Sequence, residues 1–285
     1  AGSFAQDATV LSEQKISDTQ GNFLEPLANS DKFGNAVAGI GDLDGDGIED
    51  IVVGADGQGV GGSIYVLFMN TDGTVSTSQQ ITEGIGGMVG NLDSGDDFGY
   101  SVASIGDLDN DGKKDVFFGG SKFVPSQIFI QRDSGFIKKQ FKSIQTDSLN
   151  ESISAQIADF NNDQKNDLFL TSGGGDFFGK SDALLDAYYL QTDSSFVRQK
   201  LPEVFQNSSV VVSNDFDKDG DLDLFVGGHT ITSKFGAQPH SLVLENKEGS
   251  FTPYNGFDQN IYNGMVTDAL WDDFDMDGST DLIII

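Results

Sequence analysis

Aspartate recurs at the first, third, fifth and ninth places of a nine-residue stretch that this sequence repeats. Asp42, Asp44, Asp46 and Asp50 begin the series; Asp107, Asp109, Asp111 and Asp115, then Asp215, Asp217, Asp219 and Asp223, then Asp273, Asp275, Asp277 and Asp281 continue it. A less regular copy offers Asp159, Asn161, Asp163 and Asp167. Alternate side chains in a tightly turning loop converge on one point, and hard carboxylate oxygens in that number select Ca2+ over zinc or copper. The seventh residue of each stretch, Ile48, Lys113, Lys165, Asp221 or Ser279, would add its backbone carbonyl as a ligand. Gly47, Gly112, Gly220 and Gly278 permit the sharp turn at sixth place, where the irregular copy has Gln164. The pattern predicts four structural ions, or five if the irregular loop also binds.

Asp, Asn and Gly cluster in ordinary polar turns, which accounts for any single stretch. Five copies in one phase ask for a common cause. A helix-loop-helix calcium site would need a bidentate Glu at twelfth place, where this chain has Val53, Phe118, Leu170, Val226 and Ile284. The ninth-place Asp must therefore supply the last carboxylate.

The elements that hold these loops are legible beside them. Each stretch runs into a short apolar segment, such as Ile51–Val53, Val116–Phe118 or Leu224–Val226, of the length and type of a buried strand. A strand precedes each loop, as at 36–40 and 102–105. In four copies a third follows (64–68, 128–130, 188–190, 242–244), then a polar turn and a further extended segment such as 136–141 or 196–201. The stretches begin 65, 52, 56 and 58 residues apart, about the size of a four-stranded propeller blade or somewhat larger. The expected fold is an all-β β-propeller of four-stranded blades, with the Ca2+ loops between first and second strands. Five repeat units are visible in a single domain over 1–285.

Composition agrees. Gly is abundant at 36 residues and Pro scarce at 5, suiting many tight turns. The balance of 45 Asp and Glu against 16 Lys and Arg leaves a formal charge of −29, which repels nucleic acid and anionic lipid. There is no Cys, hence no disulfide framework and no thiolate site. No apolar run approaches the roughly 20 residues of a spanning helix.

Aligning residues 10–16 with 75–81 places both at the same distance before an acidic loop, so residues 1–30 read as the end of a blade. Two expectations follow: the N-terminal strand closes the ring onto the last blade, or the chain is a piece of a longer protein, such as a seven-bladed ring. The end of the chain in an apolar strand favours the second.

Phe33-Gly34, followed by Gly41 to Gly47 and by Val53-Gly54-Ala55, resembles the FG-GAP repeat of integrin α-subunit propellers and many bacterial surface proteins. Phe98-Gly99, Gly106-Asp107 and Phe118-Gly119-Gly120 repeat the likeness. Units three to five have Asn150, Gln206 and Gly264 in place of the Phe, and are similar to the calcium-loop repeats of bacterial secreted proteins. The resemblance implies a calcium-binding propeller whose metal loops lie on the face opposite the one integrins use for ligands. It transfers no integrin ligand.

Neither of the two His, His229 and His240, stands in a nucleophile, metalloprotease or phosphate-loop context, so no catalytic residue is assigned and the chain reads as no enzyme. The long loops after the second strands are the candidate partner-binding surface. In 173–180, Phe177, Phe178 and Lys180 combine aromatics with a rare cation; in 229–236, His229, Lys234 and Phe235 do the same. Packing of these Phe rings onto neighbouring blades is the competing account. The expected function is a non-catalytic extracellular or cell-surface adhesion module, bacterial in type, that recognises a protein or glycan. The alternatives are an accessory domain of a larger secreted enzyme and a structural spacer.

Overall fold

The computed structural model describes residues 13–285 except 87, 89–91, 95, 110, 121–124, 133–134, 174–178, 235 and 257–263. Four antiparallel four-stranded meanders follow one another, each pairing its strands in chain order. Blade 1 holds β1 (Val37–Gly41), β2 (Asp50–Ala55), β3 (Ser63–Met69) and β4 (Val75–Ile81). Blade 2 holds β5 (Val102–Ser104), β6 (Val116–Phe118), β7 (Gln127–Arg132) and β8 (Gly135–Lys139). Blade 3 holds β9 (Glu151–Ala158), β10 (Asp167–Gly173), β11 (Ala187–Gln191) and β12 (Phe196–Gln199). Blade 4 holds β13 (Asn207–Asn214), β14 (Asp223–Thr230), β15 (Leu242–Lys247) and β16 (Ser250–Pro253). The fifth unit is a pair, β17 (Ala269–Asp272) and β18 (Asp281–Ile284).

The second strands show why blades stack. Successive side chains on a strand point to opposite faces. Val116 and Phe118 enter a cluster with Val52, Ile64 and Val66 of blade 1, while Phe117 between them packs with Leu168, Leu170 and Tyr189 of blade 3. Phe169 likewise turns away from its neighbours to join Leu224 and Val226 of blade 4. A sheet that is apolar on both faces must be covered on both, which a radial stack of blades achieves. Residues at or just before the start of the first strands of all five units, Ala36, Ser101, Ile153, Ser209 and Thr267, line one shared cavity of about 430 Å3.

The offset of 65 residues between units one and two extends through the segments that lead into them. Ser17 pairs with Gln20 as Thr82 pairs with Ile85. Gly21 and Gly86 follow with φ of 72° and 66°. Added Cβ atoms there would meet Lys15 O and Gln80 O at 2.6 and 2.4 Å, so both turns need glycine. The expected strand over 10–16 differs: 10–12 lie outside the described residues, and 13–16 form no strand. β4, its counterpart, is held by β3, and among the described residues no third strand lies beside 13–16. A short helix, α1 (Lys142–Thr146), follows β8, which ends at Lys139 instead of continuing to Phe141.

Candidate metal centres

Every acidic stretch forms the link between first and second strand of its unit, as expected. The first-place carboxylate organises the turn. Asp42 accepts the backbone N–H groups of Gly45 at 2.7 Å and Asp46 at 3.1 Å through Oδ1, and of Gly47 at 2.8 Å through Oδ2. Asp107, Asp159, Asp215 and Asp273 repeat the contacts to the fifth and sixth residues. Such a turn needs a left-handed residue at sixth place: Gly47, Gly112, Gly220 and Gly278 have φ of 88°, 88°, 99° and 86°. Gln164 is forced into the same region at 69°.

This turn brings the first-, third- and ninth-place carboxylates together. In each of the sets Asp42/Asp44/Asp50, Asp107/Asp109/Asp115, Asp215/Asp217/Asp223 and Asp273/Asp275/Asp281, one oxygen per residue lies within 4.8 Å of the others. These sets do not include the fifth-place carboxylates. Asp46, Asp111, Asp163, Asp219 and Asp277 instead accept the backbone N–H of the seventh residues Ile48, Lys113, Lys165, Asp221 and Ser279. The third loop folds the same way, with Asn161 Oδ1 accepting the Asp163 N–H at 3.2 Å in place of a third-place carboxylate.

The ninth-place residues also tie loop to sheet. Asp50 accepts Leu43 N–H at 2.7 Å and Met69 N–H, from the end of β3, at 2.9 Å. Asp115, Asp167 and Asp223 make the same pair of bonds to Leu108 and Gln131, Phe160 and Gln191, Phe216 and Asn246. Asp50, Asp115, Asp167 and Asp223 are almost wholly buried. Burial pushes the last three up to about 6, the neighbouring loop carboxylates add to the shift, and the two N–H donors oppose it. Asp50 is raised for the same reasons.

The donor set fits a hard divalent cation. All the converging atoms are carboxylate oxygens, and Asp109 Oδ1 is buried with no hydrogen-bond partner among the described residues. Such an orphaned anionic oxygen is costly unless a cation meets it. The second loop also carries a protein cation: the Arg132 guanidinium reaches Asp109 at 2.5 Å and Asp111 at 2.9 Å. Sequence reasoning missed Arg132, because the only signal was a basic residue at the far turn of the same blade.

Phe177, Phe178 and Phe235 lie outside the described residues. Lys180 is exposed, with its ammonium 5.8 Å from the Phe205 ring centroid, and Lys234 is exposed in a turn. His229 corrects an expectation: it belongs to β14, half-buried, since pairing of Asn207 with Thr230 prolongs that strand past the apolar run.

Residues 42–118 and 107–170 match the FG-GAP-like repeat family. The chain carries FG-GAP-like repeats. It is 34% identical over 103 residues to integrin alpha pat-2 of Caenorhabditis elegans, covering 35% of this chain and 8% of that protein. It is 29% identical over 128 residues to human integrin alpha-IIb (44% and 12% covered) and 38% identical over 116 residues to human integrin alpha-6 (39% and 9%). These FG-GAP matches thus span about a tenth of each integrin subunit. Among solved structures, rhamnogalacturonan lyase YesW aligns with a TM-score of 0.48 at 14% identity, over 90% of this chain and 45% of the lyase.

Proposed function

We propose that this FG-GAP chain is a calcium-stabilised, non-catalytic adhesion module at the cell surface that binds a protein or glycan partner. The observation that carries the reading is the recurrence, in four of the five units, of three Asp carboxylates within 4.8 Å of one another at the same corner of the sheet. Bound there, Ca2+ would supply two positive charges to carboxylates that folding packs together in a chain of net charge −29. Asp42, Asp44 and Asp50 would hold it in unit one, Asp107, Asp109 and Asp115 in unit two, Asp215, Asp217 and Asp223 in unit four, and Asp273, Asp275 and Asp281 in unit five. Asp159, Asn161 and Asp167 offer a weaker fifth site.

The role of the ion is structural. The ninth-place carboxylate is also the acceptor that fixes the ends of strands, so an ion holding it ionised and in place holds the blade corner. Adhesion is supported by the integrin α likenesses, and a surface location by the same proteins and by loops suited to extracellular calcium. The partner surface is assigned to the loops after β10 and β14, at the other end of the strands from the acidic loops.

Calorimetric titration of demetallated protein with Ca2+, paired with melting curves, tests the reading. Four or five ions and a clear rise in melting temperature are expected. An unchanged melt after verified metal removal overturns it. For the partner, binding on protein and glycan arrays is expected to fall when Phe177 and Phe235 are replaced by Ser.

A further inference from the structure

Three buried or half-buried amides sit at equivalent places at the ends of third strands: Gln131 in β7, Gln191 in β11 and Asn246 in β15. Each bonds to two different blades, and Asn246 adds two bonds within its own, its side-chain nitrogen donating to Leu222 O at 3.0 Å and its Oδ1 accepting the Gly249 N–H at 2.9 Å. Its backbone N–H donates at 2.8 Å to the ninth-place carboxylate of its own blade, Asp115, Asp167 or Asp223. Its side-chain nitrogen donates to the second-place carbonyl of the acidic loop one blade earlier. Gln131 reaches Leu43 O at 3.0 Å, Gln191 reaches Leu108 O at 3.1 Å, and Asn246 reaches Phe160 O at 2.7 Å.

The residues so contacted are not arbitrary. Leu43, Leu108 and Phe160 each donate their own N–H to the ninth-place carboxylate of their loop, Asp50, Asp115 and Asp167. A continuous path therefore runs Asp223–Asn246–Phe160–Asp167–Gln191–Leu108–Asp115–Gln131–Leu43–Asp50, through four loops and four blades. The amide oxygens of Gln131 and Gln191 are buried with no partner among the described residues. A buried unpaired oxygen is destabilising, so what these two amides contribute here is the donor. Met69 holds the same place in blade 1, where the backbone bond to Asp50 persists without an amide, so the inter-blade contact belongs to the side chain alone.

We propose that Gln131, Gln191 and Asn246 are positioning residues that couple neighbouring acidic loops, so that cation loading of one loop favours loading of the next. The proposal rests on the calcium reading above. An ion that orders Asp115 fixes the Gln131 backbone; the Gln131 side chain then holds the Leu43 peptide, whose N–H presents Asp50 to loop 1. Coupling between sites is reciprocal, so each amide links its two loops in both directions.

Gln131→Met keeps length and apolar bulk while removing the donor. Ca2+ titrations followed by hydrogen exchange, read separately for residues 42–50, 107–115, 159–167 and 215–223, compare it with wild type. Loss of one neutral hydrogen bond predicts that midpoints at loops 1 and 2 rise about fivefold, while loop 4 stays unchanged. Gln191→Met moves the effect to loops 2 and 3, which a general loss of stability would not do. Equal shifts at all loops, or none, in both variants overturn the coupling while leaving the calcium reading intact. A wild-type chain in which Ca2+ protects no loop overturns the calcium reading and the coupling with it.

Discussion

The carboxylate of Asp50 accepts the backbone N–H of Met69, 19 residues away at the end of β3, at 2.9 Å. A residue of the metal-ligand pattern is thereby also a strut of the sheet. Its second acceptor bond, from Leu43 N–H at 2.7 Å, ties the loop to the same point.

Asp50→Ala should therefore destabilise the protein even without metal. Two N–H groups lose their acceptor at a buried site, which predicts a loss of about 2–4 kcal/mol in chelator. Asp46→Ala, which removes an acceptor for one exposed N–H, should cost less than about 1 kcal/mol there. Denaturant unfolding of both variants with and without Ca2+ checks this; equal losses in chelator would contradict the strut.

The Gln164 backbone has φ of 69° where the other loops use glycine. Gln164→Gly relieves about 1 kcal/mol of left-handed strain, partly offset by the greater freedom of glycine in the unfolded chain. A modest rise in melting temperature and tighter Ca2+ binding at loop 3 are expected. A lower melting temperature would show that the turn is relaxed as it stands.

Arg132 would compete with an ion in loop 2, because its guanidinium bridges Asp109 and Asp111. Arg132→Gln should raise the Ca2+ affinity of that loop severalfold and leave the others unchanged. Weaker binding at loop 2 would instead assign Arg132 to shaping the site.

Asp186 supplies a pH test away from the metal loops. Its residue keeps some exposed surface, but the carboxyl is enclosed, accepting Ser172 N–H at 2.8 Å and the Ser208 hydroxyl at 3.1 Å. Burial raises it from 3.8 to about 7, against those two donors. With the folded value above the unfolded one, the native state holds the extra proton between these limits. Stability from this group is therefore present at pH 4 and lost as pH rises towards and through 7. Asp186→Asn keeps the geometry without the charge, and should flatten that part of the profile and exceed wild type by at least about 1 kcal/mol at pH 8. A variant less stable than wild type at pH 8 would refute this.

The acidic loops were legible because their bonds are local. First-place carboxylate to fifth- and sixth-place N–H, and glycine at the left-handed position, depend on residues at most five apart. The strands were legible where apolar runs abut those loops. Their exact ends were not: β14 runs on through His229 because β13 pairs with it, and β8 stops early because α1 follows.

By itself the sequence determined the repeat, the strand order within each blade, and which carboxylates could converge, since turn chemistry and period-two alternation act within a few residues. Only the tertiary structure decided that the ninth-place Asp is a buried strut, that Arg132 enters loop 2, and that Gln131 meets Leu43 across 88 residues. Those contacts arise when one blade packs on the next, and no local pattern encodes which side chain will then face which carbonyl.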